Sequence, residues 1–150
     1  MLKICVVASA GGHLSQILRL AESYRHRPHF FVTTGHMVTG ELGERAKVYV
    51  VPEANRQNPL RLLKIVYTAI RLMVSEQPNV VISTGAAPGC LFCLIGKLLR
   101  ARVIWIDSLA NVERMSLSGR IVSPFADLLL VQWPHLVKRY RRVEFAGNVL

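Results

Sequence analysis

The chain has 150 residues, of which 51% are hydrophobic, and this is enough apolar material to bury one core in a single domain spanning residues 1–150. Only 19% of the residues are charged, yet the formal net charge is +10, so the basic excess lies on a globular rather than a disordered protein. Such a surface predicts an anionic partner: a membrane, a phosphorylated small molecule or nucleic acid.

The amino terminus enters a strand-like apolar run directly, without the features of a secretory signal. The uncharged stretch 77–96 contains turn-forming residues, so we predict no transmembrane helix. Three cysteines, an odd number, are typical of a reducing compartment, and Cys90 and Cys93 are predicted to be core thiols of an apolar helix. We therefore expect a cytoplasmic protein.

Short apolar runs alternate with helix-like segments along the chain. Because these runs lack polar alternation, they indicate parallel strands covered by helices on both faces. The predicted fold class is α/β, a doubly wound, mostly parallel open sheet. The predicted strands are Ile4–Ala8, Phe30–Thr33, Val48–Val51, Val80–Ser83, Val103–Asp107 and Leu128–Val131, with Val143–Phe145 as a further candidate.

The segment 58–76 is predicted to form the clearest helix, since Asn-Pro is a typical helix start and Pro78 prevents extension. A helical projection places basic residues on one narrow face, opposite a core-facing set. The basic residues are Arg61, Lys64 and Arg71, and the core-facing set is Leu62, Val66, Ala69, Ile70 and Met73. We expect the basic face to dock on an anionic membrane surface; a merely solvated face is the alternative.

A glycine loop, Ser9-Ala10-Gly11-Gly12-His13, follows the first predicted strand. Paired glycines let backbone N–H groups approach an anion such as a diphosphate, and a histidine there can accept a proton from an attacking hydroxyl or donate to phosphate. The alternative is a plain strand-to-helix turn. The loop lacks the last glycine of a dinucleotide fingerprint, so NAD is not expected and we predict no cofactor.

Two more loops follow predicted strands and should share the same sheet edge. The first contains Thr84-Gly85-Ala86, and the second contains Asp107, Ser108 and Asn111. Asp107 is predicted to orient His13 or to contact a sugar hydroxyl, with a turn-capping role as the alternative. The other histidines, including His36, lack metal-ligand spacing, so no metal site is expected.

Six motifs in order resemble one glycosyltransferase family across nearly the whole chain. They are Ser9-Ala10-Gly11-Gly12-His13, Ser83-Thr84-Gly85, Trp105-Ile106-Asp107-Ser108, Ser116-Leu117-Ser118-Gly119, Ala126-Asp127 and Val131-Gln132-Trp133-Pro134. The set is similar to the PssD type of bacterial exopolysaccharide glycosyltransferase subunit. That family includes a subunit of the eukaryotic dolichol-diphosphate N-acetylglucosaminyltransferase, namely its membrane-recruiting subunit, which is asparagine-linked glycosylation protein 14-like. The bacterial and the eukaryotic subunits both resemble the N-terminal half of the peptidoglycan transferase MurG.

This resemblance implies a Rossmann-like GT-B half-domain that is peripheral on the cytoplasmic face of the membrane. It also implies that the chain contacts a lipid-linked diphosphate sugar acceptor, while a separate donor-binding chain holds the UDP-sugar. His13 then matches the family's proposed base or acceptor ligand. The acceptor-binding positions are Gly11, Gly12, Thr84, Gly85, Ala86 and Asn111. Asp107 stands where the family usually has glutamate, and Asn111 stands where it often has arginine.

Three functions stay open on the sequence. The leading one is a hexosyltransferase subunit that is active only with its partner chain. The second is a non-catalytic membrane anchor that recruits the donor-binding catalytic subunit. Nucleic-acid binding is the least favoured, because only 7% of the residues are aromatic and no recognition motif occurs, so we expect no nucleic-acid partner.

Overall fold

A computed structural model describes residues 1–35, 42–44, 46–54 and 57–150; His36 lies outside them. The strands are β1 (Ile4–Ala8), β2 (His29–Thr34), β3 (Lys47–Val51), β4 (Val80–Ser83), β5 (Arg102–Ile106) and β6 (Leu128–Leu130). The helices are α1 (Gly12–Arg19), α2 (Ala21–Tyr24), α3 (Pro59–Glu76), α4 (Ala86–Leu98), α5 (Leu117–Val122) and α6 (Pro134–Val137).

The six strands form one sheet in the order β3-β2-β1-β4-β5-β6, and every neighbouring pair is parallel. The predicted fold class is therefore confirmed, and the six predicted strands are each within one residue of the observed ends. The segment 143–145 is not a regular strand. It forms a single parallel bridge between Glu144 and Leu130, in which the Glu144 N–H donates to the Leu129 carbonyl (2.9 Å).

Helices cover both faces of the sheet, as predicted from apolar strands that lack polar alternation. Cys5 and Val7 of β1 point into the core shared with α3, α4 and α5, whereas Ile4 and Val6 point toward α1 and α2. Cys90 and Cys93 are buried free thiols, as predicted, and burial raises the pKa of both. In the described part of the chain, no helix is both long and apolar enough to cross a bilayer.

Helix α3 has the predicted ends but a different buried face. Its buried residues are Ile65, Ala69, Leu72 and Met73, whereas Ile70, which was predicted to face the core, is 48% exposed. In a helical projection at about 100° per residue, the centre of the buried face lies roughly 70° away from the position directly opposite the three basic residues. The prediction for Ile70 is wrong because α3 carries a second apolar stripe that does not pack on the sheet.

At the amino-terminal edge of the sheet, the last residue of α3 ties three elements together. The Glu76 carboxylate, which is 12% exposed, accepts hydrogen bonds from Lys3 Nζ (2.5 Å), Lys47 Nζ (2.7 Å) and the Tyr49 hydroxyl. These donors, Lys3 first, hold the pKa of Glu76 at about 2. The carboxylate thus links α3 to β3 and to the residue preceding β1.

We expect Glu76→Gln to lower the free energy of unfolding at pH 7 by on the order of 1–3 kcal/mol, because a half-buried charged acceptor of three hydrogen bonds is lost. Since the folded pKa is depressed, the wild-type contribution is complete above the unfolded value of about 4.3 and disappears as the pH falls toward 2. Urea unfolding at pH 7 and pH 3 should therefore show a smaller difference between the two proteins at pH 3. Glu22→Gln, in an exposed pair with Arg25, is the control and should change little. A pH-independent difference for Glu76→Gln would contradict the assignment.

Candidate functional site

The loops that follow β1 and β4 meet at the carboxyl edge of the sheet and hold each other by two reciprocal hydrogen bonds. His13 Nδ1 lies 3.0 Å from the Thr84 carbonyl oxygen, and the Thr84 hydroxyl donates to the His13 carbonyl (2.8 Å). The predicted convergence of the two glycine-containing loops is confirmed. Because both bonds use backbone carbonyls, sequence reasoning could not identify the partners.

The contact with Thr84 fixes which nitrogen of His13 carries the proton in the neutral ring. A carbonyl oxygen only accepts hydrogen bonds, so Nδ1 must be the protonated nitrogen. Nε2 then keeps its lone pair, and His13 is half-buried along the wall of a surface cavity. In this tautomer the neutral ring can accept a proton at Nε2.

Gly85 is required by the histidine ring. A Cβ atom at Gly85 would lie 2.4 Å from His13 Cε1 and 2.7 Å from Nδ1, and the backbone φ of +144° is unfavourable for residues with side chains. The next residue, Ala86, also has a positive φ of 66°. The small residues of the second loop thus allow the His13 ring to lie directly against the backbone.

The five predicted acceptor-binding residues of the two glycine-containing loops differ in accessibility. Gly11 and Gly12 are exposed at the start of α1, where the first N–H groups of a helix have no intrahelical partner. Thr84 and Gly85 are buried, and the Thr84 hydroxyl is already engaged with His13, whereas Ala86 is half-buried. The accessible members of the predicted set are therefore Gly11, Gly12 and Ala86.

Asp107 does not orient His13. Its side chain is buried and accepts hydrogen bonds from Ser116 N–H (2.9 Å), Ser116 Oγ (2.6 Å) and Trp105 Nε1 (3.2 Å). The ring of His13 is held by Thr84 instead, and an acid that is 1% exposed has no surface for a sugar. The alternative role of Asp107, capping a turn, fits these contacts better. Its partner Ser116 in turn caps α5 by accepting a hydrogen bond from Gly119 N–H (2.9 Å).

The loop 108–116 is also braced from the other side, by the segment after β6. Trp133 Nε1 donates to the Leu109 carbonyl (3.0 Å), and Arg139 Nη1 donates to the Glu113 carbonyl (3.0 Å). His135 Nε2 contacts the Val112 carbonyl at 2.6 Å. The Val131-Gln132-Trp133-Pro134 motif therefore includes an indole that helps to position the loop containing Asn111.

Two cavities, each lined by both polar and apolar residues, flank Ala86 at this edge. The first, which we call the histidine cavity, has a volume of about 330 Å³; the second, the glutamate cavity, has about 270 Å³. The histidine cavity is lined by His13, Ala86, Ser108, Ala110, Asn111, Ser116, Leu117 and Ser118. The glutamate cavity is lined by Ser9, Thr34, Glu53, Ala54, Asn58, Arg61, Ala86 and Pro88.

Some of the predicted residues line one of the two cavities, and others line neither. His13 and Asn111 share the histidine cavity, as predicted for residues at one edge. Arg61 lines the glutamate cavity, whereas Lys64 and Arg71 are exposed farther along α3. Sequence reasoning missed Thr34 and Glu53, which follow from no motif. Within the described residues, no cluster of three His, Cys, Asp or Glu side chains is arranged to hold a metal.

Solved structures show the class of fold. The chain superposes on Acinetobacter baumannii MurG with a TM-score of 0.80 at 16% identity, over 99% of this chain and 46% of MurG. UDP-GlcNAc 2-epimerase from Methanocaldococcus jannaschii gives a TM-score of 0.75 at 10% identity, over 98% of this chain and 46% of the epimerase. The protein is thus a GT-B-like half-domain that spans about half the length of these structures.

Sequence comparison shows the family. The family model described as "Oligosaccharide biosynthesis protein Alg14 like" matches residues 4–149. The UDP-N-acetylglucosamine transferase subunit ALG14 of Yarrowia lipolytica is 30% identical over 176 residues, covering 97% of this chain and 80% of that protein. The human subunit of the same name is 25% identical, covering 99% of this chain and 83% of its own length. The chain belongs to the Alg14-like family.

We expect Gly85→Ala to displace the His13 ring, because the added methyl group would overlap Cε1. Gly12→Ala is the matched control, since a Cβ there meets nothing within 4 Å. Histidine ¹⁵N NMR above the titration range should show the Nδ1–H tautomer in the wild type and in Gly12→Ala. The Gly85→Ala protein should lose this signature while remaining folded by circular dichroism. An unchanged His13 signal in Gly85→Ala would contradict the described packing.

Proposed function

We propose that this chain is the acceptor-side, membrane-docking subunit of a two-chain glycosyltransferase. The enzyme moves a sugar from a UDP-sugar to a lipid-diphosphate-linked acceptor, and a separate donor-binding chain completes it. The observation that carries the proposal is His13 Nε2, which has no hydrogen-bond partner among the described residues and lies beside the exposed Gly11-Gly12 loop in a GT-B-like half-domain.

Family membership supports the division into two chains. The relatives are named subunits of a UDP-N-acetylglucosamine transferase. We infer that a partner chain supplies the UDP-sugar side and that neither chain acts alone. The bacterial exopolysaccharide context of the PssD resemblance is a further part of this proposal, and so is a cytoplasmic, peripheral location.

The proposed chemistry is an inverting displacement. The acceptor hydroxyl in the histidine cavity attacks the anomeric carbon of the donor sugar, the bond to the UDP oxygen breaks, and the hydroxyl proton passes to His13 Nε2. The backbone N–H groups of the exposed residues Gly11 and Gly12, together with Ala86, bind the acceptor diphosphate. Asn111, which lines the same cavity, donates a hydrogen bond to the acceptor sugar or accepts one from it.

The outer face of α3 supports docking on a membrane. Five apolar residues repeat at alternating spacings of three and four, and each is between 48% and 79% exposed; they are Leu60, Leu63, Tyr67, Ile70 and Val74. We call them the docking stripe. Lys64 and Arg71 are exposed beside it, and the one acid of α3, Glu76, is enclosed by its partners. An apolar stripe bordered by cations suits an interface rich in anionic lipid.

We expect the pair of chains, but neither chain alone, to transfer labelled sugar from UDP-N-acetylglucosamine to lipid in membranes. His13→Ala in this chain should slow transfer by about 10²–10⁴-fold, because a general base contributes that much. His26→Ala, at an exposed position in the turn after α2, is the matched control and should retain full activity. Transfer that survives His13→Ala would favour the non-catalytic anchor. Absence of both transfer and association between the chains would overturn the two-chain proposal.

We expect the double variant Lys64→Ala/Arg71→Ala to bind vesicles of phosphatidylcholine and phosphatidylglycerol about 30-fold more weakly, since each basic residue contributes about 1 kcal/mol. Vesicle flotation at low salt measures the change. The control variant Arg27→Ala/Arg141→Ala removes the same charge from exposed positions outside α3. Equal loss in both variants would mean that net charge, rather than the face of α3, drives binding.

A further inference from the structure

The glutamate cavity has no part in the transfer step described above, although it lies at the same edge and shares Ala86 with the histidine cavity. Its polar groups come from separate segments of the chain. Ser9 follows β1, Thr34 ends β2, Glu53 follows β3, and Asn58 precedes α3. A cavity assembled from so many segments is fixed by the fold as a whole.

Among the described residues, the polar groups that line this cavity make few hydrogen bonds. The Glu53 carboxylate, which has about four acceptor positions, receives one long hydrogen bond from them, from the Thr34 hydroxyl (3.3 Å). Thr34 is fixed in turn, because its oxygen accepts from Ala10 N–H (2.9 Å). The Asn58 side chain caps no N–H of α3, and the Ser9 hydroxyl has no hydrogen-bond partner among the described residues.

The lining residues of the glutamate cavity indicate which class of ligand it can bind. A phosphate would be repelled by the Glu53 carboxylate. Among the described lining residues, the positive charge of Arg61, whose Nη1 donates to the Glu53 carbonyl (3.3 Å), only balances the charge of Glu53. Neighbouring sugar hydroxyls each donate and accept, so they match a carboxylate, an amide and a hydroxyl set side by side. Ala54, Ala86 and Pro88 offer an apolar wall to the C–H groups of a ring.

We propose that the glutamate cavity binds an uncharged sugar ring of one of the two substrates, with Glu53 and Asn58 as binding residues. The inference rests on the proposed function, because the sugar ring belongs to one of the two substrates of the proposed transfer, the acceptor or the donor. Because Ala86 lines both cavities, a ring bound here lies next to the histidine cavity. The cavity then contributes to substrate selection rather than to proton transfer.

Binding to this chain alone tests the proposal without requiring transfer. Methyl N-acetylglucosaminide, UDP-N-acetylglucosamine and inorganic diphosphate are titrated separately while the amide NMR signals of Asn58 and Ala86 are followed. We expect a sugar probe to shift both signals, and Glu53→Gln to weaken that binding by about 10-fold or more, as for hydrogen bonds to charged groups. Asn58→Ala should weaken it by a smaller factor.

Glu113→Gln is the matched control, since Glu113 is exposed in the loop 108–116 and lines neither cavity. A response to the methyl glycoside assigns the ring to the acceptor, and a response to the UDP-sugar alone assigns it to the donor. Shifts caused by diphosphate but by neither sugar would overturn the proposal, as would equal sugar affinity in Glu53→Gln and Glu113→Gln. Failure of transfer in the two-chain assay leaves this binding result standing, so the two proposals fail separately.

Discussion

The arrangement of the candidate site depends on one contact, the reciprocal pair of hydrogen bonds between His13 and Thr84. The two residues follow β1 and β4, which are adjacent parallel strands, so the fold delivers them to the same edge. Each residue uses a backbone carbonyl as the acceptor for the other's side chain. The contact therefore joins two loops, fixes the protonated nitrogen of the imidazole and demands a residue without a side chain at position 85.

Those consequences show what the sequence could reveal about the site. Parallel strands end at one edge, so the meeting of the glycine loops was predictable from the apolar runs alone. The identity of the contacts was not, because a backbone carbonyl has no signature in a sequence. Asp107 illustrates the opposite error. An acid at the end of a buried strand suggested chemistry, but its oxygens are satisfied by Ser116 and Trp105, which hold a loop.

Helix α3 shows the corresponding limit for packing. Its ends were predictable from Pro59 and Pro78, yet its buried face was not, because the projection assumed that apolar residues opposite the charges must face the core. The docking stripe breaks that assumption, since the helix has two apolar faces about 150° apart. The glutamate cavity was invisible for another reason: Thr34 and Glu53 lie far from each motif in sequence and meet only through the sheet.

The chain contains two tryptophans, and both indole N–H groups hold the same loop. Trp105 donates to the carboxylate that anchors the end of the loop 108–116, and Trp133 donates to the carbonyl of Leu109 near its start. One indole is fully buried, and the other is half-buried. Tryptophan fluorescence is therefore a label-free optical signal from the loop 108–116, which lines the histidine cavity, and the emission reports ordering of that loop without any introduced probe.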